Sequence, residues 1–144
     1  MNPIEQAEKY FASGYACSQS VLAAFSQELN LPKETALKIA EGFGGGIGGR
    51  GSICGAVSGA IMVLSLKFGS TNPNDQPAKD LLDQKIQNFL QQFQNQHQNI
   101  ICSELLGIDI STDKGLKTAN QKNLFQNQCP KYVNSAAHIL TNLL

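Results

Sequence analysis

The chain has 144 residues, and eleven basic residues balance eleven acidic ones, so its net charge is zero. This length suits one core, and we expect residues 1–144 to form a single domain. The neutral charge argues against nucleic acid or an anionic membrane as a partner, because both select basic surfaces. The start, MNPIEQAEKYF, lacks the basic and apolar regions of a secretory signal, so a cytoplasmic location is expected.

The first third of the chain carries the signals of three helices. Asn2 and Pro3 match the N-cap and first position of a helix that Gly14 ends. A second helix includes Cys17 in its first turn, on the apolar side. Pro32 opens a third helix, which stops before the glycine-rich segment.

The segment 42 to 51 is glycine at every position except Phe43, Ile47 and Arg50. The following residues, Ser52 to Phe68, are apolar on all sides, which predicts a buried central helix with Ser52 as its N-cap. This apolar run is shorter than the ~20 residues that span a bilayer, so we expect no membrane insertion. Cys54 then falls in the first turn, where free N–H groups and the helix dipole favour a thiolate.

The second half of the chain also reads as helical. A long amphipathic helix is predicted from Pro77 to about Gln98, and a short one from Cys102 to Gly107. Residues 111 to 113 offer caps for another short segment, and Pro130 signals the start of the last helix. No stretch alternates like a strand. We therefore predict an all-α, compact helical bundle of about five main helices plus short helical segments.

The four cysteines share one feature, since each lies at or near a predicted helix start. They are Cys17, Cys54, Cys102 and Cys129. If these helix ends converge, their partial positive charges create a pocket that suits thiolates or a metal cluster. The only arginine, Arg50, precedes Cys54 by four residues, and either strengthens that field or is an ordinary surface residue.

The sequence around these cysteines resembles the C_GCAxxG_C_C family of redox-active proteins. The likeness rests on Cys17 in GYACSQSVLAAF, the run GFGGGIGGRGSICGAVSG, Cys102 in CSELLG, and Cys129 before the last helix. It covers nearly the whole chain. What it implies is redox activity carried by the four cysteines.

The first functional hypothesis is thiol–disulfide exchange or electron transfer with a redox partner, as in a thiol oxidoreductase. Cys54 is the candidate attacking thiolate, because it combines a helix dipole, an open glycine loop and the nearby Arg50. The chain has no CxxC motif, so the fold must assemble the pair, and four cysteines allow three pairings. We expect Cys17, Cys54 and at least one of Cys102 and Cys129 to line one pocket.

Two alternatives remain open at this stage. The same four cysteines are the right number for an iron–sulfur cluster or a structural zinc, although spacings of 37, 48 and 27 residues are unusual for a metal module. The glycine loop is instead a candidate site for an anion or small ligand, or serves only for close packing. Its candidate residues are Gly44, Gly45, Gly46, Gly48 and Gly49. The smooth, glycine-bearing face of the central helix also permits a homo-oligomer.

Overall fold

The computed structural model describes all 144 residues and contains eight helices and no strand, which confirms the predicted all-α class. None of these helices combines the length and the apolar character needed to cross a bilayer. In chain order the helices are α1 (Pro3–Ala12), α2 (Cys17–Ser26), α3 (Lys33–Glu41), α4 (Gly55–Phe68), α5 (Gln76–His97), α6 (Cys102–Leu106), α7 (Asp113–Gln121) and α8 (Leu124–Leu143).

Several helix ends follow directly from local side-chain chemistry. The Asn2 side chain accepts a hydrogen bond from the Glu5 N–H at 2.9 Å, and the Glu5 carboxylate accepts one from the Asn2 N–H at 3.3 Å. This reciprocal pair is a capping box, and it confirms the predicted start of α1. Gly107 ends α6 in the left-handed conformation, and the Thr112 hydroxyl caps α7.

The predicted start of the central helix is wrong by two residues. The N-cap of α4 is Cys54, and the helix begins at Gly55, so Ser52 caps nothing. The residue between them, Ile53, instead forms an isolated antiparallel bridge with Ile101. Extended backbone at this bridge is incompatible with a helical turn, and this moves the helix start downstream.

The predicted start of the last helix is also wrong. Pro130 lies inside α8, which begins at Leu124, and Cys129 is therefore in the second turn of the helix. Leu124 and Phe125 pack against a small core cluster that also contains Cys129, and this packing extends the helix towards its N-terminus. The missing N–H of Pro130 leaves the Gln126 carbonyl without its usual helical donor.

The bundle is built around α2 as much as around α4. Nine of the ten residues of α2 are buried, and it packs against α1, α3, α4 and α8. The approach of α4 to α2 is close, since a Cβ atom at Gly59 would lie 2.8 Å from the carbonyl oxygen of Ser18. Only glycine fits there, and this contact sets the distance between the two helices that carry Cys17 and Cys54.

The glycine-rich segment forms a tight loop that is held together by its own backbone. Five consecutive residues, 45 to 49, have φ between 58° and 77°, which suits glycine and is uncommon for the one other residue, Ile47. The N–H groups of residues 47 to 52 all donate to carbonyl oxygens of residues 42 to 47. The loop therefore satisfies most of its own hydrogen bonds.

Candidate functional site

All four cysteines line one cavity of about 400 Å³ near the glycine-rich loop. They come from four different helices or helix caps and are separated along the chain by at least 27 residues. The expectation that the fold brings these thiols to one pocket is confirmed. None of them forms a disulfide.

Cys17 occupies the first position of α2, and two hydrogen bonds of the Gln19 side chain fix the backbone around it. The N–H of the preceding Ala16 donates to the Gln19 side-chain oxygen at 2.9 Å. The Gln19 amide in turn donates to the Leu37 carbonyl oxygen on α3 at 3.0 Å. Gln19 was not predicted as a capping residue, although a glutamine three residues after an N-cap is half of a capping box.

Cys54 and Cys102 are held by the two-residue bridge between Ile53 and Ile101. The Cys102 N–H donates to the Ser52 carbonyl oxygen at 2.6 Å, and the Cys54 N–H donates to a carbonyl of the opposite segment at 2.7 Å. These bonds fix both backbones directly at the two sulfur-bearing residues. The two cysteines therefore occupy a rigid wall of the cavity.

Cys129 reaches the cavity from the second turn of α8, so the prediction that all four cysteines lie at helix starts holds for only three. Its thiol interacts with the Cys17 thiol of α2, and each changes the pKa of the other. The reason for the error is the interior position of Pro130, which the sequence analysis took for a first helical residue.

The interaction between Cys17 and Cys129 moves their pKa values in opposite directions. It lowers the pKa of Cys129, because a neighbouring Cys17 thiol that shares its proton stabilises a Cys129 thiolate. The same interaction raises the pKa of Cys17, and burial and the neighbouring sulfurs raise it further. Since α2 begins at Cys17, the positive end of that helix also lies beside the pair.

The pKa values of the other two thiols, Cys54 and Cys102, are both raised. Burial raises the pKa of Cys54 to about 11, although hydrogen bonds from the N–H groups of Ala56 and Val57 act in the opposite direction. Burial also raises the pKa of Cys102 to about 12, with a smaller contribution from the nearby sulfurs. The expected thiolate at Cys54 is thus not favoured, because loss of solvent outweighs the helix terminus.

The rest of the cavity wall is apolar and aromatic. Its sixteen residues include no Asp, Glu, Lys, Arg or His, and the aromatic ones are Phe11, Tyr15, Phe125 and Tyr132. The Tyr132 hydroxyl donates to the Leu105 carbonyl oxygen at 3.0 Å, which ties α8 to α6 beside Cys102. These aromatic residues were not predicted from the sequence, since Phe11, Phe125 and Tyr132 occupy apolar helix positions and Tyr15 lies between α1 and α2, where none carries a separate signal.

The comparison with known families agrees with this geometry. Residues 15–143 match the family model described as "Putative redox-active protein (C_GCAxxG_C_C)". The chain belongs to the C_GCAxxG_C_C family. The match includes all four cavity cysteines and the glycine-rich loop. No curated protein and no solved structure shows detectable similarity to the chain.

In this C_GCAxxG_C_C protein the glycine loop contributes only one residue to the cavity. Gly45 lines it, whereas Gly44, Gly46, Gly48 and Gly49 do not. Arg50 is exposed and is not among the lining residues. Because six loop N–H groups already have carbonyl partners, the loop has few free donors for an anion.

The arrangement of side chains also bears on the metal alternative. No group of three or more His, Cys, Asp or Glu residues is placed so that it could hold a metal ion. A structural zinc requires four ligands at about 2.0 to 2.3 Å from one point. The four cysteines are therefore not placed to bind a zinc ion together. No feature of the cavity points to an iron–sulfur cluster.

Proposed function

We propose that this protein is a dithiol redox protein in which Cys17 and Cys129 undergo thiol–disulfide exchange. The observation that carries the proposal is that these two thiols line one cavity and interact there, so that each changes the pKa of the other. Exchange needs one sulfur that ionises readily and a second sulfur within reach of it. Among the four cysteines, the Cys17–Cys129 pair meets both requirements.

The exchange follows from the different states of the two sulfurs. The Cys129 thiolate attacks one sulfur of a substrate disulfide, whose S–S bond breaks and whose other half leaves as a thiolate. Cys17 then loses its proton to solvent and attacks the sulfur of Cys129. The second half of the substrate leaves, and the protein retains a Cys17–Cys129 disulfide. Two electrons pass from the protein to the substrate.

Cys54 and Cys102 have a supporting role in this scheme. Their raised pKa values keep them as neutral thiols near neutral pH, so they do not compete as nucleophiles. Their neutral state also avoids adding negative charge beside the Cys129 thiolate. A cavity with four unpaired thiols suits a reducing compartment, and we place the activity in the cytoplasm.

Thiol counting in a redox titration tests the proposal. The reduced protein is equilibrated without oxygen in buffers of increasing oxidised-to-reduced dithiothreitol, quenched with acid, and its free thiols are counted after denaturation. We expect a single transition from four free thiols to two. A protein that keeps four free thiols in these buffers and also after treatment with diamide, a stronger thiol oxidant, would contradict dithiol exchange.

A further inference from the structure

The position of the sulfurs limits which disulfides can reach them. Cys54, Cys102 and Cys129 are only 4%, 8% and 6% exposed, and Cys17 is half-buried. Their sulfurs face a cavity rather than the outer surface. A disulfide between two protein cysteines brings their Cα atoms to within about 4.4 to 6.8 Å. A protein substrate would therefore have to push its own backbone into the cavity during exchange.

The cavity wall further limits the chemistry of the substrate. Twelve of the sixteen lining residues are hydrophobic, and none is Asp, Glu, Lys, Arg or His. The exposed Gln126 is the one lining side chain with an amide. A charged substrate would lose its hydration here, and this costs free energy. An anion would find no counter-ion and would be repelled by the proposed Cys129 thiolate, while a cation would find that thiolate alone. The volume of about 400 Å³ lies within the usual range of small-molecule sites.

From these observations we infer that the substrate is a small, uncharged disulfide with an aromatic or otherwise apolar body, and that it enters the cavity. The inference rests on the proposed function of the Cys17–Cys129 pair. Phe11 and Phe125 contact the apolar body of the substrate, while its S–S bond faces Cys129. A small disulfide brings no peptide backbone, so it meets the pair without displacing the aromatic wall.

The chemical balance is that of the exchange described above. The S–S bond of the substrate breaks, each half leaves as a thiol, and one disulfide forms between Cys17 and Cys129. The substrate gains two electrons and two protons, and the protein dithiol loses them. No further oxidant or reductant takes part. The reverse reaction uses a small apolar dithiol, or two small apolar thiols, to reduce the protein.

Two aromatic disulfides of different charge test the inference. Dithiodipyridine is uncharged, whereas dithiobis(nitrobenzoate) carries two carboxylates on a similar scaffold, and both release a coloured product. Their rate constants with the reduced protein are measured by stopped flow and divided by those with free cysteine. We expect the normalised ratio to favour dithiodipyridine at least tenfold. A ratio near one, or a preference for the charged reagent, would overturn the inference.

A charge placed at the cavity wall provides the second arm of the test. Gln126→Lys adds a cation to the lining, and Asn127→Lys adds the same charge to the next, exposed position outside the lining. We expect only Gln126→Lys to raise the rate of dithiobis(nitrobenzoate) several-fold relative to dithiodipyridine. An equal rise in both variants would show long-range attraction without entry into the cavity, and would overturn the inference.

The outcome is separable from that of the proposed function. The dithiothreitol titration reports whether two thiols form a disulfide, whatever the substrate. A protein that completes that titration and then shows no preference between the two reagents retains the proposed function but loses the inferred substrate class. A protein that fails the titration loses both.

Discussion

The two sides of the cavity carry the same residue type, and only one of them holds a thiol with a lowered pKa. On one side, Cys17 and Cys129 lie on two helices and interact, which lowers the pKa of Cys129 and raises that of Cys17. On the other side, Cys54 and Cys102 are held by a backbone bridge, and burial raises both pKa values. Cys17 and Cys54 both lie at helix starts, yet both have raised pKa values. The interaction with a second thiol, and not a helix start, therefore accounts for the one lowered pKa.

The largest expected effect comes from removing one member of the Cys17–Cys129 pair. In Cys17→Ser and Cys129→Ser we expect the two-thiol transition of the dithiothreitol titration to disappear, since no partner sulfur remains for the disulfide. Cys54→Ser and Cys102→Ser are matched controls in the same cavity and should each keep a two-thiol transition. Loss of the transition in Cys54→Ser alone would reverse the roles of the two sides.

The second largest effect is expected in the pH dependence of alkylation, which should differ between Cys129 and Cys54. A lowered pKa means that thiolate persists at lower pH, so N-ethylmaleimide should label Cys129 at pH values below the ordinary thiol range. Cys54, with a pKa raised from 9.0 to about 11, has about a hundredfold less thiolate than an ordinary thiol near neutral pH. Peptide mass spectrometry gives the profile of each cysteine. Labelling of Cys54 before Cys129 as the pH rises would refute the assignment.

A smaller effect, on stability, is expected at the contact between α2 and α4, which set the distance between Cys17 and Cys54. Gly59→Ala places a Cβ atom 2.8 Å from the Ser18 carbonyl oxygen, so the helices must shift apart. We expect the free energy of unfolding to fall by about 1 to 3 kcal/mol, as for other overpacked cores. Gly42→Ala is the control, because no atom lies within 4 Å of its Cβ position. Urea denaturation compares the variants, and equal stabilities would argue against the close crossing.

The smallest expected effect concerns the contact between α8 and α6. Tyr132→Phe removes the hydroxyl that donates to the Leu105 carbonyl oxygen at 3.0 Å. A single hydrogen bond of this kind contributes about 1 kcal/mol to stability. Urea denaturation should show a loss of that size. An unchanged midpoint would mean that water replaces the hydroxyl and that the bond does not hold α6 in place.

The sequence predicted those features that depend on nearby residues. Asn2 with Pro3, and Gly107 after the short α6, mark helix ends within a few positions. The helical class followed from the spacing of apolar residues. The gathering of four distant cysteines also came from their helix positions, and it was strengthened by the family resemblance.

The features that the sequence did not predict depend on distant contacts. Ser52 looked like an N-cap, but the pairing of Ile53 with Ile101, 48 residues away, holds that segment extended. Pro130 looked like a helix start, yet packing of preceding residues against a small core cluster extends α8 beyond it. The pKa order of the thiols depends on burial and on which sulfurs touch, so no local pattern reveals it.

The most direct test of the central claim is to map the disulfide that forms on oxidation. The reduced protein is oxidised with dithiothreitol disulfide, its remaining thiols are blocked, and the digested peptides are identified by mass spectrometry without reduction. The account predicts a linked pair of peptides containing Cys17 and Cys129, with Cys54 and Cys102 blocked as free thiols. A disulfide between Cys54 and Cys102, with the other two free, would contradict it.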